Sequence, residues 1–362
     1  MSLAEQALSY VRAISPYQPG KPITELAREM GIPVEKIVKL ASNENPLGMS
    51  PKAKKAVEAA IGGIERYPDQ FDLIKAVAER TGLGQNQVVL GNGSNDVLDL
   101  AARVFLAPGR SAVFAQHAFA VYPLATLSTG AELIATPAKN YGHDLDAMRA
   151  AIRPDTRLIW IANPNNPTGN FLPYPEVRAF LERVPNDVVV VLDEAYNEYI
   201  APEERVDTAT WIEDFPNLVV TRSFSKIFGL AGLRVGYALA SAEIADLMNR
   251  VRQPFNVNNL ALAAAVAALD DHLFLAESYE LNRHGMAQLT AGFKRLGLEH
   301  IPSHGNFVTF RAGDAAAVNQ KLLQQGVIVR PIGGYGMPEW LRVTIGKEAE
   351  NRRFLEALEK AL

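Results

Sequence analysis

The run Ser223-Phe224-Ser225-Lys226-Ile227-Phe228-Gly229-Leu230-Ala231-Gly232-Leu233-Arg234 sets a lysine between two hydroxyls and, eight residues on, an arginine. A lysine amine forms Schiff bases with carbonyl substrates and with pyridoxal phosphate. Serine hydroxyls and a guanidinium fork together suit a phosphate dianion. Gly229 and Gly232 let the backbone turn closely around such a group. Taken alone, an exposed lysine in an ordinary Ser/Gly loop has the same composition. A second group stands thirty-three residues earlier, Leu192-Asp193-Glu194-Ala195-Tyr196, at the end of the apolar run Val188–Leu192. The carboxyl end of a buried parallel strand is where open α/β sheets bind ligands, and a carboxylate there can pair with a protonated pyridine nitrogen. Tyr196 is placed to reach a phenolic oxygen on the same ring. Taken alone, Asp193 reads more readily as a helix N-cap or a solvated turn residue.

Two further segments also follow strand-like runs. Asn163-Pro164-Asn165-Asn166-Pro167-Thr168-Gly169 comes after Leu158–Ala162 and makes a rigid turn whose amides can be aimed at a ligand. Many such clusters are turns and nothing more. Gly91-Asn92-Gly93-Ser94-Asn95-Asp96 comes after Val88–Leu90 and opens a helix, whose free amides and dipole attract phosphate. It begins like a dinucleotide fingerprint but carries Asp96 where the third glycine belongs, and no acidic residue ends a following strand at the required spacing. A nicotinamide site is therefore not expected, and phosphate cradling by Ser94 and Asn95 is.

In sequence, order and spacing, the four segments resemble those of the fold-type I pyridoxal-phosphate-dependent aminotransferases. Leu40–Pro46 (LASNENP), Arg66-Tyr67-Pro68-Asp69 and Leu341–Gly346 (LRVTIG) extend the likeness over nearly the whole chain. It is closest to the histidinol-phosphate branch of the class II subgroup. The resemblance implies that Lys226 carries the cofactor and then serves as the base, that Asp193 faces the pyridine nitrogen, and that Tyr196 and Asn166 contact the phenolic oxygen. It further implies that Ser94, Asn95, Ser223, Ser225 and Arg234 hold the phosphate while Phe119 stacks on the ring. A core aromatic on the next helix is the competing reading of Phe119, and His117 stands where the family's segment is proline-rich. Tyr67 matches a tyrosine given across a homodimer to the phosphate.

Arg330 and Arg342 lie where the family binds anionic substrate groups, and the planar arginine fork suits carboxylate and phosphate. Surface ion pairs are the alternative for both. Tyr17 matches a tyrosine of an N-terminal arm that closes over the substrate. The implied partners are a small amino donor and a 2-oxo acid. The implied reaction moves an amino group between L-histidinol phosphate and 2-oxoglutarate in histidine biosynthesis, with an aromatic or broad-range amino-acid aminotransferase as the alternative.

The elements that must position these residues follow from pattern. At 362 residues the chain exceeds what one core usually serves, so two domains are expected. Strand-like runs at Val88–Leu90, Ser111–Ala115, Glu132–Ala135, Leu158–Ala162, Val188–Leu192 and Leu218–Thr221 alternate with helical ones such as Asp96–Leu106, Glu176–Arg183 and Glu243–Arg252. That alternation predicts an α/β fold with a mostly parallel sheet flanked by helices. The last hundred residues predict a smaller α+β unit. Its elements are a helix over Leu273–Leu296, a strand over Asn306–Arg311, a helix over Ala315–Gln325, strands over Val327–Arg330 and Leu341–Ile345, and a closing helix over Lys347–Leu362. The expected division is residues 1–38 as an N-terminal arm joining the small domain, 39–260 as the large cofactor-binding domain and 261–362 as the small domain.

Composition removes other classes of function. A net charge of -4 does not suit a nucleic-acid binder. The absence of cysteine excludes disulfides, thiolate catalysis and Cys-ligated metals. The six histidines show no paired metal-ligand spacing and the acidic residues no calcium loop, so no metal is expected. The longest apolar run, Leu260–Leu269, ends at Asp270 and falls short of the roughly 18 residues of a membrane span. The first residues carry Glu5 and no signal-like apolar stretch, so a cytoplasmic location is expected.

Overall fold

The structure is a computed structural model that describes residues 2–362. Apolar, β-branched runs in the middle of the chain pair into one seven-stranded sheet. Its strands are β1 Val88–Gly91, β2 Ser111–Ala115, β3 Glu132–Thr136, β4 Thr156–Ala162, β5 Val189–Asp193, β6 Leu218–Ser223 and β7 Gly236–Ala240. The order across the sheet is β1-β7-β6-β5-β4-β2-β3. Four of the six pairings are parallel, while β7 runs antiparallel to both β1 and β6. Successive strand residues face opposite sides, and here both sides are covered. Val190 and Leu192 of β5 enter one core and Val189 and Val191 the other. Ile159 and Ile161 of β4 likewise oppose Leu158 and Trp160.

This topology brings the site segments to one edge. Ala162 and Asp193 end adjacent parallel strands, and Asp193 lies beside Thr221, two residues before β6 ends. The register Ser223↔Gly236 and Gly236↔Gly91 carries the end of β1 to the same edge. Behind that edge a buried clamp holds β5 to β6: Arg222 donates through Nε to Glu194 at 3.0 Å and through NH2 to Asp207 at 3.1 Å. The Thr208 hydroxyl donates to the other Glu194 oxygen at 2.7 Å. Breaking such a buried pair by removing one partner typically costs about 3–5 kcal/mol.

Asn259–Leu269 is a helix of almost only Leu and Ala, strong helix formers. Asn258 caps it by accepting from the Ala261 N–H. Its buried side joins the core of the large sheet, and since it straddles residues 260 and 261 we place the division between units beyond it. The following helix, His272–Arg295, serves both units: Leu275 and Tyr279 pack on the large core, Leu289 and Phe293 enter the small one. There Phe293 stacks on Phe310 with centroids 4.7 Å apart, and Phe354 meets both edge-on. Among the described residues no single helix is long and apolar enough to cross a membrane.

The run Val327–Arg330, expected as one strand, is two. Val327–Ile328 pairs in parallel with Val38–Lys39, while Arg330–Pro331 pairs antiparallel with Trp340–Thr344. Pro331 lacks an N–H, which confines it to a sheet edge, and Arg330–Pro331 is the edge of its four-stranded sheet. The exchange of partners draws the amino-terminal segment into the small unit and sets Arg330 directly opposite Arg342.

Candidate active site

Along the seam between the two units runs a cavity of about 240 Å³, and all but one of the expected site residues line it. Lys226 sits in the turn after β6. Its Nζ lies 3.4 Å from the Ser42 carbonyl oxygen and 5.5 Å from the centre of the Tyr196 ring. Burial, reinforced by the Arg342 and Arg234 charges, holds its ammonium down to about 8. Asp193, only 5% exposed, ends β5. Its Oδ2 accepts from the Tyr122 hydroxyl at 2.8 Å and its Oδ1 from the Ala195 N–H at 3.2 Å. Burial pushes this carboxyl up, and the Tyr122 hydrogen bond opposes that rise.

Aromatic rings frame the carboxylate. Tyr122 is fully buried and stacks flat on Trp160 at 5.2 Å. Phe119 meets Tyr122 edge-on at 5.8 Å and lies in the turn ahead of the helix Val121–Ser128, with part of its surface on the cavity. It is therefore not a core residue of that helix. On the opposite side Tyr196 accepts at its hydroxyl from Asn43 Nδ2 at 2.8 Å.

A second region suits a phosphate. Ser94 begins the twelve-residue helix Ser94–Phe105, whose first N–H groups have no partner within the helix. Gly93 precedes it at φ +84°, and a Cβ there would come 2.2 Å from Arg234 NH2. Only glycine allows the guanidinium to lie against that backbone. Arg234, itself left-handed at φ +58°, donates to Ser225 Oγ at 3.3 Å and to the Ala231 carbonyl at 3.1 Å. Ser223 Oγ accepts from the Ser225 N–H at 3.1 Å. A left-handed residue other than glycine stores strain that surrounding structure must hold, and here it aims a cation at a helix start.

The third region carries two arginines. Arg342 is 5% exposed. It donates through NH1 to Asn166 Oδ1 and through NH2 to the Ala41 carbonyl at 2.8 Å, while its Nε has no partner. Arg330 donates to the Gln18 carbonyl at 2.8 Å and to the Tyr17 hydroxyl at 3.3 Å. Like charges directly opposite each other on paired strands are destabilising. An anion placed beside such a pair would offset that repulsion.

Tyr67 is the residue that the cavity does not include. It is 81% exposed and stacks on Phe255 at 4.5 Å. Asn43, Tyr122 and Tyr335 line the cavity without having been singled out. Asn43 lies in the LASNENP segment, which carried a usable signal. Tyr122 lies inside Val121–Ser128 (VYPLATLS), which reads as plain core.

An amine, a buried carboxylate, a ring-facing aromatic and a phosphate-sized cradle in one cavity make a donor set that pyridoxal phosphate fits. The family model described as aminotransferase class I and II matches residues 35–358, and the chain belongs to that family. It is a pyridoxal-phosphate-dependent transaminase. At 89% identity over 362 residues, covering all of both chains, it is similar to histidinol-phosphate aminotransferase 1 of Dechloromonas aromatica. It is 60% identical over 362 residues to the histidinol-phosphate aminotransferase of Methylobacillus flagellatus, covering 99% of this chain and 98% of the relative. Among solved structures, the histidinol-phosphate aminotransferase of Sinorhizobium meliloti in complex with pyridoxal-5'-phosphate aligns with a TM-score of 0.90 at 27% identity, over 99% of this chain and 98% of that one.

The lowered Lys226 value has a kinetic consequence. Below about pH 8 the amine carries its proton, and only above it is the nucleophile mostly free. Capture of pyridoxal phosphate by the cofactor-free protein therefore speeds up by about tenfold per pH unit on the acid side and levels off above about 8. Stopped-flow absorbance over that range checks this. A rate still climbing at the pH where ordinary lysines deprotonate contradicts it.

Proposed function

We propose that this protein transfers the amino group between L-histidinol phosphate and 2-oxoglutarate, giving imidazole-acetol phosphate and L-glutamate in histidine biosynthesis. The observation that carries the reading is the cross-strand pair Arg330 and Arg342, which lines a cavity that also holds Lys226 and Asp193. Two facing guanidinium groups suit a doubly charged phosphate better than an apolar side chain, and the same fork accepts the carboxylates of the 2-oxo acid. The curated relatives named above are histidinol-phosphate aminotransferases, which supports the amino donor in this reading.

When bound, pyridoxal phosphate supplies an electron sink for the charge left on the donor's α carbon. Lys226 would anchor the cofactor and then, as a free amine, would accept the proton from that donor carbon and release it again to complete the transfer. Its pKa of about 8 brings the free-amine form much closer to neutrality than in an ordinary lysine while leaving it a competent base. Asp193, held by Tyr122, is the counter-charge behind the ring nitrogen, and Phe119 covers the ring face. Tyr196 and Asn166 face its phenolic oxygen. Ser94, Asn95, Ser223, Ser225 and Arg234 hold its phosphate. Tyr17 and Arg330, already in contact, close over the substrate's anionic end.

The protein is further proposed to act as a cytoplasmic homodimer in which the exposed Tyr67 reaches the partner's phosphate site. A monomer that remains fully active in light scattering and assay refutes this arrangement. The substrate assignment is tested by comparing kcat/KM for histidinol phosphate with that for phenylalanine. A preference for histidinol phosphate of well over tenfold is expected, and a preference for phenylalanine replaces the assignment with an aromatic aminotransferase.

A further inference from the structure

His117 lies where the two units meet. Its imidazole is 8% exposed, and Nδ1 is 2.7 Å from the carbonyl oxygen of Tyr335. A carbonyl only accepts, so Nδ1 bears a proton and donates. The main-chain oxygen of His117 accepts from Asn165 Nδ2 at 2.8 Å. The residue thereby joins three segments that bound the cavity: the Phe119 turn, the Asn163–Gly169 turn and the Gly333–Tyr335 turn.

The last of these needs a hold. Glycine occupies positions 333, 334 and 336, and ordering glycine costs more conformational entropy than ordering any other residue. Gly336 is left-handed at φ +74° and packs against the His117 ring, where even a Cβ would stand at an ordinary 3.6 Å. What the turn presents is Tyr335. It lines the cavity together with Arg330 and Arg342, and burial pushes its phenol up against the pull of those two charges.

We infer that His117 is a positioning residue for substrate specificity: its Nδ1–H latches the Tyr335 backbone, fixing the side chain that shapes the seat for the donor's anionic tail. The inference rests on the substrate reading above. It assigns His117 no part in proton transfer and no contact with the cofactor.

His117→Phe keeps the ring and the main-chain bond to Asn165 while deleting the donor, and His117→Asn restores a donor at the δ position. Each variant is assayed with histidinol phosphate and with phenylalanine, and its affinity for pyridoxal phosphate is measured by absorbance titration. In His117→Phe the KM for histidinol phosphate should rise roughly tenfold, while kcat and cofactor affinity stay within about twofold. His117→Asn should recover most of that loss. Unchanged KM in His117→Phe overturns the inference. So do equal losses of KM, kcat and cofactor affinity in both variants, which packing alone would produce. If the wild-type protein prefers phenylalanine, the substrate reading fails, and the same KM split is read on phenylalanine to decide the latch.

Discussion

The Lys226→Ala protein folds and binds pyridoxal phosphate weakly, yet transaminates at least about four orders of magnitude more slowly than the parent. One positioned acid–base group is worth about 10²–10⁴ in rate, and in the proposed function this amine is also the covalent anchor. No neighbour can replace it. The nearby guanidinium groups are hydrogen-bond donors engaged elsewhere, Arg234 with Ser225 and Ala231 and Arg342 with Asn166 and Ala41, and the Tyr196 hydroxyl accepts from Asn43, with burial pushing its phenol up. The fold should not suffer. Burial disfavours the Lys226 charge, so the folded chain releases this proton at about 8 and the unfolded chain only near its ordinary value of 10.5. The destabilisation is complete below about 8 and relieved as pH rises to 10.5. Removing the side chain at neutral pH thus leaves the unfolding midpoint unchanged or raises it. Single-turnover absorbance with excess donor reads the rate. A variant within tenfold of the parent would take Lys226 out of the chemistry.

Asp193→Asn should lower kcat/KM by about 10²–10³ and weaken cofactor retention. The substitution is isosteric, so the packing beneath Tyr122 and Trp160 survives. What is lost is a full negative charge in a place that water scarcely reaches. Removing one member of a buried, hydrogen-bonded charge pair costs about 2–5 kcal/mol, which is about 1.5–3.7 decades at 1.36 kcal/mol per decade and brackets the stated range. The Tyr122 hydroxyl keeps an acceptor in the amide oxygen, while the Ala195 N–H loses the acceptor it had in Oδ1. Steady-state kinetics and equilibrium dialysis of the cofactor measure both effects. A variant with parental kcat/KM shows that the carboxylate faces no developing charge.

Much of this arrangement was readable because local chemistry and long-range topology agree. Val188–Leu192 is apolar on both faces, so it belonged to a covered parallel strand, and the acid that ends it had to emerge at the ligand-binding edge. The same logic placed Lys226, Ser94 and Asn166 together from segments far apart in the chain. Other features have no local signature. Tyr122 is a polar tip on an apolar helix, and only the packed structure shows that the tip meets Asp193. The break at Val329 leaves Val327–Arg330 uninterrupted in sequence, so the confrontation of Arg330 with Arg342 depends on two partners that lie elsewhere in the chain. Helix His272–Arg295 keeps an even pattern while it changes cores, which is why the boundary between units could not be drawn from periodicity.

The antiparallel return of β7 beside β6 separates this site from one assembled wholly by crossovers. In a parallel pair the chain must travel to the opposite edge before it can contribute again. Here it leaves the sheet at Ser223 and re-enters at Gly236 on the same edge. Lys226, Ser225 and Arg234 therefore form one contiguous cassette, clamped at both ends by a single pair of neighbouring strands. Its spacing is inherited as a unit. Insertions elsewhere can lengthen the enzyme, but any within this loop shifts the buried amine and the guanidinium together and finds no second segment to compensate.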